Sequence, residues 1–451
     1  MKKTFTFCYL VFFIAVIFIV IILCVVSHFT PNAKDRINVK INYVAKYNEI
    51  SKPASYDPNN NAAPYYQKAF DLITVVPDTK DLSQKCPGDM NEIELKKAED
   101  LIESNSQIIE YLTEASQKPY YWVEHQAKDN DFFKIMLPDL KNIRFCVKLL
   151  TLQAKLKAYQ GQTEPALKLV SAAYKIGTHF GPSKVLIEQL VGIGVSQTAL
   201  NTGFQILDKT EISPQLLENF QHQIEESSHI RDPIIDFNAE RMTFYDQVQR
   251  LFTDDGQGDG HLYGAAFSES PVYYILRSYK PELNKQLQIT RKETIELADK
   301  MYDYFEWAKG RLPAELHREH EDPEKIAAEI VKGNYLLEIL APVFGQIIKT
   351  SYRFQAHTNG LLTTVALLRY KTDKGEYPQN LDELVAAGYL NELPIDPFSG
   401  GPLVYKRVNS DFILYSFAED YDDDNGSHDL KLSKDGDGDY VFWPVELRQK
   451  E

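Results

Sequence analysis

The chain has few cysteines, and their spacing excludes one common kind of metal site. None of the four cysteines forms a Cys-x-x-Cys pair, so a thiolate zinc site is not expected. Cys86 and Cys146 lie outside the N-terminal apolar run. In an oxidising compartment they could pair, or they could remain two buried free thiols, and the sequence leaves both interpretations open.

Short catalytic motifs and a basic surface pattern are also absent. The sequence contains no Gly-x-Gly-x-x-Gly, Gly-x-Ser-x-Gly, His-Glu-x-x-His or P-loop motif, so nothing indicates a dinucleotide, serine-hydrolase, metalloprotease or nucleotide site. The net charge is -15, and no basic stripe interleaved with aromatic residues offsets it. Such a chain repels phosphate backbones, so we expect no nucleic-acid partner.

Charged residues are missing from Thr4 to Ser27. A helical span of a bilayer needs about 20 such residues. The run is longer than the roughly 7–15 apolar residues of a cleaved signal peptide, and no clear small-x-small site follows it. Residues 1–29 are therefore predicted to be an uncleaved signal anchor that forms a single transmembrane helix. Lys2 and Lys3 favour a cytoplasmic N-terminus, which places the bulk of the chain on the periplasmic side of the cell membrane.

The chain beyond this run has mainly a helical pattern. Residues 30–84 are polar and rich in Pro, Asn and Asp, which predicts a stalk and a first helix. Residues 85–350 have a helical period and predict an irregular all-helical body. Two apolar-striped helices flank Gly161 in a hairpin of the general tetratricopeptide type, although no regular repeat of about 34 residues is present. Further helices are expected at about 183–207, 213–226, 231–252, 286–310 and 323–350.

The composition changes near residue 351, and residues 351–451 predict a small α+β module. A helix ends near Lys374 and Gly375, and Asn380 is placed to cap a second, short helix. Three strands are then expected, in "LVYKR", "DFILYSFAED" and "DYVFWPVEL". The predicted fold class is therefore mainly α, with an anchor helix, a helical body and this α+β module.

The last two predicted strands enclose the acidic stretch "YDDDNGSHDLKLSKDGDGDY", which runs from Tyr421 to Tyr440. Its two clusters of Asp can converge, and their mutual repulsion costs free energy unless a cation offsets it. Calcium takes about six to eight oxygen ligands, several of which can be carboxylates. An EF-hand is excluded because Tyr440 stands sixth from Asp435, where that loop requires glycine. A solvated acidic loop is the alternative.

A pair of histidines is a weaker metal candidate. His317 and His320 in "HREH" are separated by about one helical turn, a spacing that could hold a metal ion. A third ligand is not visible nearby in the sequence. The flanking Arg318, Glu319 and Glu321 favour a solvated helix face instead, so a structural role on the surface is the alternative.

The order of motifs in the last hundred residues resembles the C-terminal part of the major pseudopilins of type II secretion systems. The matching features are "YKTDKGEYP", with Tyr377 and Pro378, "DPFSGGP", with Asp396, Pro397 and Gly400, and a strand ending in "YSFAED". In that family an Asp-rich loop follows and binds calcium. The resemblance implies a calcium site that uses Asp420, Asp422, Asp424, Asp437, Asp439 and the backbone near Leu414 and Ser416, with Asp423 and Asp435 as weaker alternatives.

These features predict a membrane-anchored extracytoplasmic scaffold, or partner-binding protein, with a calcium-stabilised C-terminal module. Its protein partners are not identified by the sequence. One alternative is an extracytoplasmic hydrolase with an active site in the helical body, and another is a component of a type II secretion or pilus-like assembly. The N-terminus lacks the prepilin-processing motif of that family. The layout of the whole chain resembles large membrane-anchored proteins of planctomycete type, which imply no activity.

Overall fold

The structure is a computed structural model, and it describes residues 39–74, 80–135, 139–181, 184–228, 235–254, 260, 289–338, 341–427 and 438–449. The predicted anchor, residues 1–29, lies outside these residues. Within the described part of the chain, no helix combines the length and the apolar character that crossing a membrane requires.

The described chain is mainly helical and carries one small antiparallel sheet near its C-terminal end. The helices, in chain order, are α1 Tyr43–Ser51, α2 Ala63–Asp71, α3 Lys80–Gln84, α4 Glu92–Ser104, α5 Ser106–Ser116, α6 Asp139–Tyr159, α7 Thr163–Thr178, α8 Leu186–Lys209, α9 Pro214–Ser227, α10 Asn238–Leu251, α11 Arg291–Ala308, α12 Pro313–Arg318, α13 Pro323–Ile330, α14 Tyr335–Glu338, α15 Ala341–Lys374 and α16 Asp382–Ala386. Short 3-10 turns lie at 58–60, 87–89, 128–130, 132–134, 418–420 and 445–449.

Residues 39–74 differ from the polar stalk expected of this region. The side chain of Asn42 accepts a hydrogen bond from the backbone N–H of Ala45 and so starts α1. Tyr47 of α1 and Tyr66 of α2 are completely buried against the helical body. Each ring buries a large apolar area, which outweighs the polar residues around it in the sequence. This segment therefore belongs to the body.

The centre of the body is the hairpin of α6 and α7 together with α8. Gly161 ends α6 with a left-handed φ of 77°, as its place between two apolar stripes predicts. The helices α7 and α8 cross at Gly177 and Gly192, where a Cβ atom on Gly177 would lie 2.7 Å from the carbonyl oxygen of Gly192. The helix α8 is buried on most sides and packs against α6, α7 and α15.

The two cysteines of the described chain are free thiols. Cys146 lies on α6 and is completely buried, and burial raises its pKa. Cys86 is partly buried beside the 3-10 turn at 87–89, and burial raises its pKa as well. Both side chains are therefore protonated near neutral pH, and protonated thiols are poor nucleophiles and poor metal ligands. The sequence allowed either a disulfide or two free thiols, and the structure contains two free thiols.

The helix predicted at 323–350 is interrupted, and a longer helix follows it. After α13 the chain turns at Gly333, whose φ of 91° is left-handed and ends helical geometry. The short α14 and then α15 follow, and Pro342 stands at the start of α15, where a missing N–H has no cost. The 34-residue α15 runs across the boundary expected between residues 350 and 351. Residues of the body and of the module belong to one hydrophobic core.

The sheet has the order β1-β2-β3, formed by β1 Val404–Val408, β2 Asp411–Ser416 and β3 Tyr440–Trp443. Both pairs are antiparallel, and an irregularity between Leu414 and Tyr415 shifts the register of β2 with β3. All three strands were expected, but β2 ends at Ser416 because a 3-10 turn at 418–420 follows it. The prediction that Asn380 caps the short helix was wrong: Leu381 occupies the N-cap of α16.

The sheet lies directly on the backbone of α15. A Cβ atom built on Gly360 would lie 2.5 Å from the ring of Phe442 in β3. That ring is completely buried and stacks on Phe204 of α8, at 6.3 Å between ring centroids and 9° between planes. Glycine at position 360 therefore allows the sheet to approach α15 and α8 closely.

We expect the substitution Gly360→Ala to destabilise the protein by about 2 kcal/mol, because a methyl group there overpacks the contact with Phe442. The matched control is Gly194→Ala in α8, which is exposed and has no atom within 4 Å of the added Cβ. It should be neutral or stabilise the helix by up to about 1 kcal/mol. Urea denaturation measures both. Equal effects of the two substitutions would show that β3 does not depend on this contact.

A buried histidine links α2 and α7 to the loop after α5. Nδ1 of His179 lies 2.6 Å from the hydroxyl oxygen of Tyr66, and Nε2 donates to the carbonyl oxygen of Lys118 (2.9 Å). When the ring is neutral, Nδ1 accepts a hydrogen bond from Tyr66. Burial lowers the pKa of His179 to about 3, so the folded protein excludes a proton that the unfolded chain binds below about pH 6.5.

The stability contributed by neutral His179 is therefore present above about pH 6.5 and is lost as the pH falls towards 3. We expect this group to cost about 2 kcal/mol between pH 7 and pH 5. The variant His179→Gln should be less stable at pH 7. Its free energy of unfolding should fall by about 2 kcal/mol less between pH 7 and pH 5 than that of the unmodified protein. The exposed His222 provides the control His222→Gln, and a slope unchanged in His179→Gln would contradict the assignment. Urea titrations at both pH values give the measurement.

Candidate metal site

Three aspartates after β2 form a group that could hold a metal ion. One carboxylate oxygen from each of Asp420, Asp422 and Asp424 lies within 4.8 Å of the other two. Tyr421, between the first two, has a left-handed φ of 68°, so the chain curls at this point. Within the residues that the structure describes, no other three or more His, Cys, Asp or Glu side chains converge in this way.

The beginning and the end of the acidic loop are joined by three hydrogen bonds, each of which is donated by a backbone N–H group. The N–H of Gly438 donates to Oδ2 of Asp420 (2.7 Å), and the N–H of Gly426 donates to Oδ2 of Asp439 (2.6 Å). The N–H of Asp439 in turn donates to the carbonyl oxygen of Ser427 (2.9 Å). Asp439 is completely buried. The two acidic clusters of the sequence are thus brought together at Asp420 and Asp439.

Two carboxylates of this loop, those of Asp420 and Asp439, resist ionisation. Burial, helped by the charges of Asp423 and Asp424, raises the pKa of Asp439 to about 7, although two backbone N–H groups oppose the shift. Burial is also the largest cause of the raised pKa of Asp420, and the charges of Asp422 and Asp424 add to it. Oδ1 of Asp420 is buried and makes no hydrogen bond. A divalent cation bound among these carboxylates would offset the free-energy cost of ionising them, since a nearby opposite charge favours the ionised form.

Asp423, a weaker candidate from the sequence, has a different environment. Its Oδ1 accepts hydrogen bonds from the hydroxyl of Tyr415 (2.6 Å) and the N–H of Asn425 (2.9 Å), and Nζ of Lys406 lies 3.9 Å away. The hydrogen bond from Tyr415 is the main cause of the lowered pKa of Asp423. This carboxylate therefore holds the loop against β1 and β2.

The other expected ligands are placed as follows. Leu414 and Ser416 lie in the central strand β2, and the hydroxyl of Ser416 donates to Asp396 (2.7 Å). Asp435 and Asp437 lie outside the described residues. The trio of Asp420, Asp422 and Asp424 is thus the part of the predicted ligand set that the structure places together.

The two histidines of "HREH" are both exposed at the end of α12. His320 has a left-handed φ of 58°, and neither histidine belongs to a group of three ligand side chains in the described chain. The ring of His317 stacks on Tyr421, with 4.1 Å between centroids and 13° between planes. Sequence spacing missed this contact, because 104 positions separate the two residues and no local pattern joins them.

Asp396 organises the turn that leads into the sheet. It is completely buried, and its carboxylate accepts hydrogen bonds from the N–H groups of Phe398, Ser399 and Phe417 (3.1–3.2 Å) as well as from Ser416. Burial raises its pKa, and these hydrogen bonds oppose the shift. Gly400 follows in the turn with a left-handed φ of 75°. The Asp-Pro turn is thus tied to the strand end that precedes the acidic loop.

A small cavity of the body lies between α7, α8 and α15. Its lining includes Tyr174, Gly177, Ser196, Thr358 and Asn359, and it contains no carboxylate, histidine, lysine or cysteine side chain. The hydroxyl of Ser196 donates to a backbone carbonyl within the fold. The polar side chains that line this cavity are therefore hydroxyls and amides.

The chain was compared with protein-family models, curated proteins and solved structures, and no match was found in any of the three comparisons. The geometry described above is therefore the basis for assigning a role to this site.

We expect the substitution Asp396→Ala to cost about 3 kcal/mol, because it leaves buried N–H donors without an acceptor. Asp396→Asn keeps one acceptor oxygen and should cost less. Asp71→Ala, at an exposed aspartate, is the control and should change stability by less than about 0.5 kcal/mol. Chemical denaturation provides the values, and a cost for Asp396→Ala no larger than that of the control would refute the structural role.

Proposed function

We propose that the acidic loop binds a calcium ion, and that this ion stabilises the C-terminal module of a membrane-anchored extracytoplasmic scaffold. The observation that carries the proposal is the convergence of Asp420, Asp422 and Asp424 beside the buried carboxylate of Asp439. In this arrangement four acidic groups lie in one loop whose two ends are hydrogen-bonded to each other.

The chemistry of the donors favours calcium over other common metals. All the candidate side chains are carboxylates, which are hard oxygen ligands, and none is a thiolate or an imidazole. Calcium accepts irregular sets of about six to eight oxygens at roughly 2.3–2.6 Å, whereas magnesium requires near-octahedral geometry at about 2.0–2.1 Å. A loop that supplies an irregular set of carboxylates and backbone carbonyls fits calcium better.

The predicted location supports the same ion. The apolar run from Thr4 to Ser27 and the preceding Lys2 and Lys3 predict that the bulk of the chain lies outside the cytoplasm. Extracellular calcium modules bind with dissociation constants of about 10⁻⁴–10⁻³ M, which a loop of this kind can reach. The resemblance of the last hundred residues to the major pseudopilins points to the same use of an Asp-rich loop.

The role of the body is proposed to be partner binding. It is mainly helical, and the polar side chains that line the cavity between α7, α8 and α15 are hydroxyls and amides. Helices packed around a central hairpin present wide surfaces to other proteins, as helical-repeat proteins do. The proposed scaffold holds a partner on the body while the calcium-bound module keeps the C-terminal end in a single conformation.

We expect calcium chloride to raise the melting temperature of the protein relative to a chelator, because a ligand that binds only the folded state stabilises it. At a concentration of about 100 times the dissociation constant, the gain is roughly 2.7 kcal/mol, or about 3 °C for a chain of this size. Magnesium should have a smaller effect. A melting temperature that is the same with calcium and with chelator would refute the proposal.

The matched variants are Asp422→Asn with Asp424→Asn, and Glu99→Gln with Glu103→Gln on the exposed face of α4. Each pair removes two negative charges. The first pair should lose the response to calcium, and in chelator it should be at least as stable as the unmodified protein because repulsion in the loop is removed. The second pair should keep the response.

A further inference from the structure

The acidic loop is attached to the helical body at residues that directly adjoin the candidate ligands. Tyr421 lies between Asp420 and Asp422, and its ring stacks on His317 of α12 at 4.1 Å between centroids. On another side the same ring lies 6.2 Å from that of Phe398 in the Asp-Pro turn. Tyr421 therefore connects two candidate ligands to the body and to the turn.

Two further attachments flank this one. Glu419, next to Asp420, forms an ion pair with Arg353 of α15. Tyr440, next to Asp439, makes a hydrogen bond of 3.0 Å between its hydroxyl and Nδ1 of buried His357, also in α15. Both sides of the proposed cation site are thus fixed to α15, and one side is fixed to α12 as well.

The helix α12 is a contact surface between body and module in its own right. The N–H of Ala314 donates to the carbonyl oxygen of Pro397 (3.0 Å), and Nη2 of Arg318 lies 3.2 Å from the position of a Cβ on Gly400. A change in the position of Tyr421 would therefore act on a helix that already contacts the Asp-Pro turn.

We infer that the acidic loop is a cation-dependent clamp on α12: the bound ion fixes Tyr421 against His317 and thereby tightens the contact between the module and the body. The inference rests on the proposed cation site. Without an ion, repulsion among carboxylates within 4.8 Å of one another favours an expanded loop. Tyr421, which lies between two of these aspartates, then moves with the loop. The ion binds the compact loop better and shifts the population towards it.

Linkage makes the relation reciprocal. If the ion tightens the contact of Tyr421 with His317, then that contact must raise the affinity for the ion by the same factor. Couplings between sites are commonly about 5-fold or larger. In this proposal His317 is not a ligand of the ion and acts only through Tyr421. Removing its ring should therefore weaken calcium binding about 5-fold.

The test is hydrogen–deuterium exchange with mass spectrometry on the full chain, in calcium chloride and in chelator, combined with calorimetric titration of calcium. In the unmodified protein, calcium should slow exchange in peptides covering 418–427 and 313–320. In His317→Ala the first peptide should still respond, the second should not, and calcium binding should weaken about 5-fold. His317→Phe keeps a stacking ring and should behave as the unmodified protein. The exposed His222→Ala in α9 is the control and should change nothing.

The outcomes separate the two proposals. If calcium leaves exchange at 418–427 unchanged in the unmodified protein, the cation site itself is wrong. If calcium slows exchange at 418–427 but not at 313–320, the cation site stands and the clamp is overturned. The clamp is also overturned if His317→Ala binds calcium as tightly as the unmodified protein.

Discussion

The C-terminal half of the molecule depends on one close contact, that of the Phe442 ring with the backbone of α15 at Gly360. It fixes β3 on the helical body, and β3 begins one residue after Asp439. The position of that carboxylate, and of Tyr440 with its hydrogen bond to His357, follows from this contact. Because this contact holds the Asp439 end of the acidic loop, repulsion among the carboxylates is relieved on the side of Asp420, Asp422 and Asp424.

The carboxylate of Asp396 and those of Asp420 and Asp439 differ in how well hydrogen bonds compensate them. Asp396 receives a hydrogen bond from each of four donors, so its burial is compensated within the protein. Buried Asp439 and half-buried Asp420 each accept hydrogen bonds from two backbone N–H groups, and other carboxylates lie beside them. The first arrangement is complete in itself and sets the shape of the turn. The second leaves negative charge that an external cation is suited to offset.

Much of the fold could be predicted from local patterns, whereas the arrangement of the site could not. The apolar periods of α7 and α8 and the three strands are short-range signals, and the structure confirms the mainly helical class with a small sheet. The break at Gly333 was missed, because a single helix was expected at 323–350, although a glycine stands at that point. The stack of Tyr421 on His317 and the role of Asp396 arise from long-range packing, and sequence separation of that size carries no periodic signal.

The continuity of α15 has a consequence for the modular history of the chain. A single helix of 34 residues supplies the core of the body on its first half and the seat of the sheet on its second half, with Leu361 and Phe442 in the same hydrophobic cluster as Leu200. Cleavage at the junction would expose apolar faces on both fragments. The module is therefore not a separable domain. Substitutions in its buried face must remain compatible with the surface of the body that it covers.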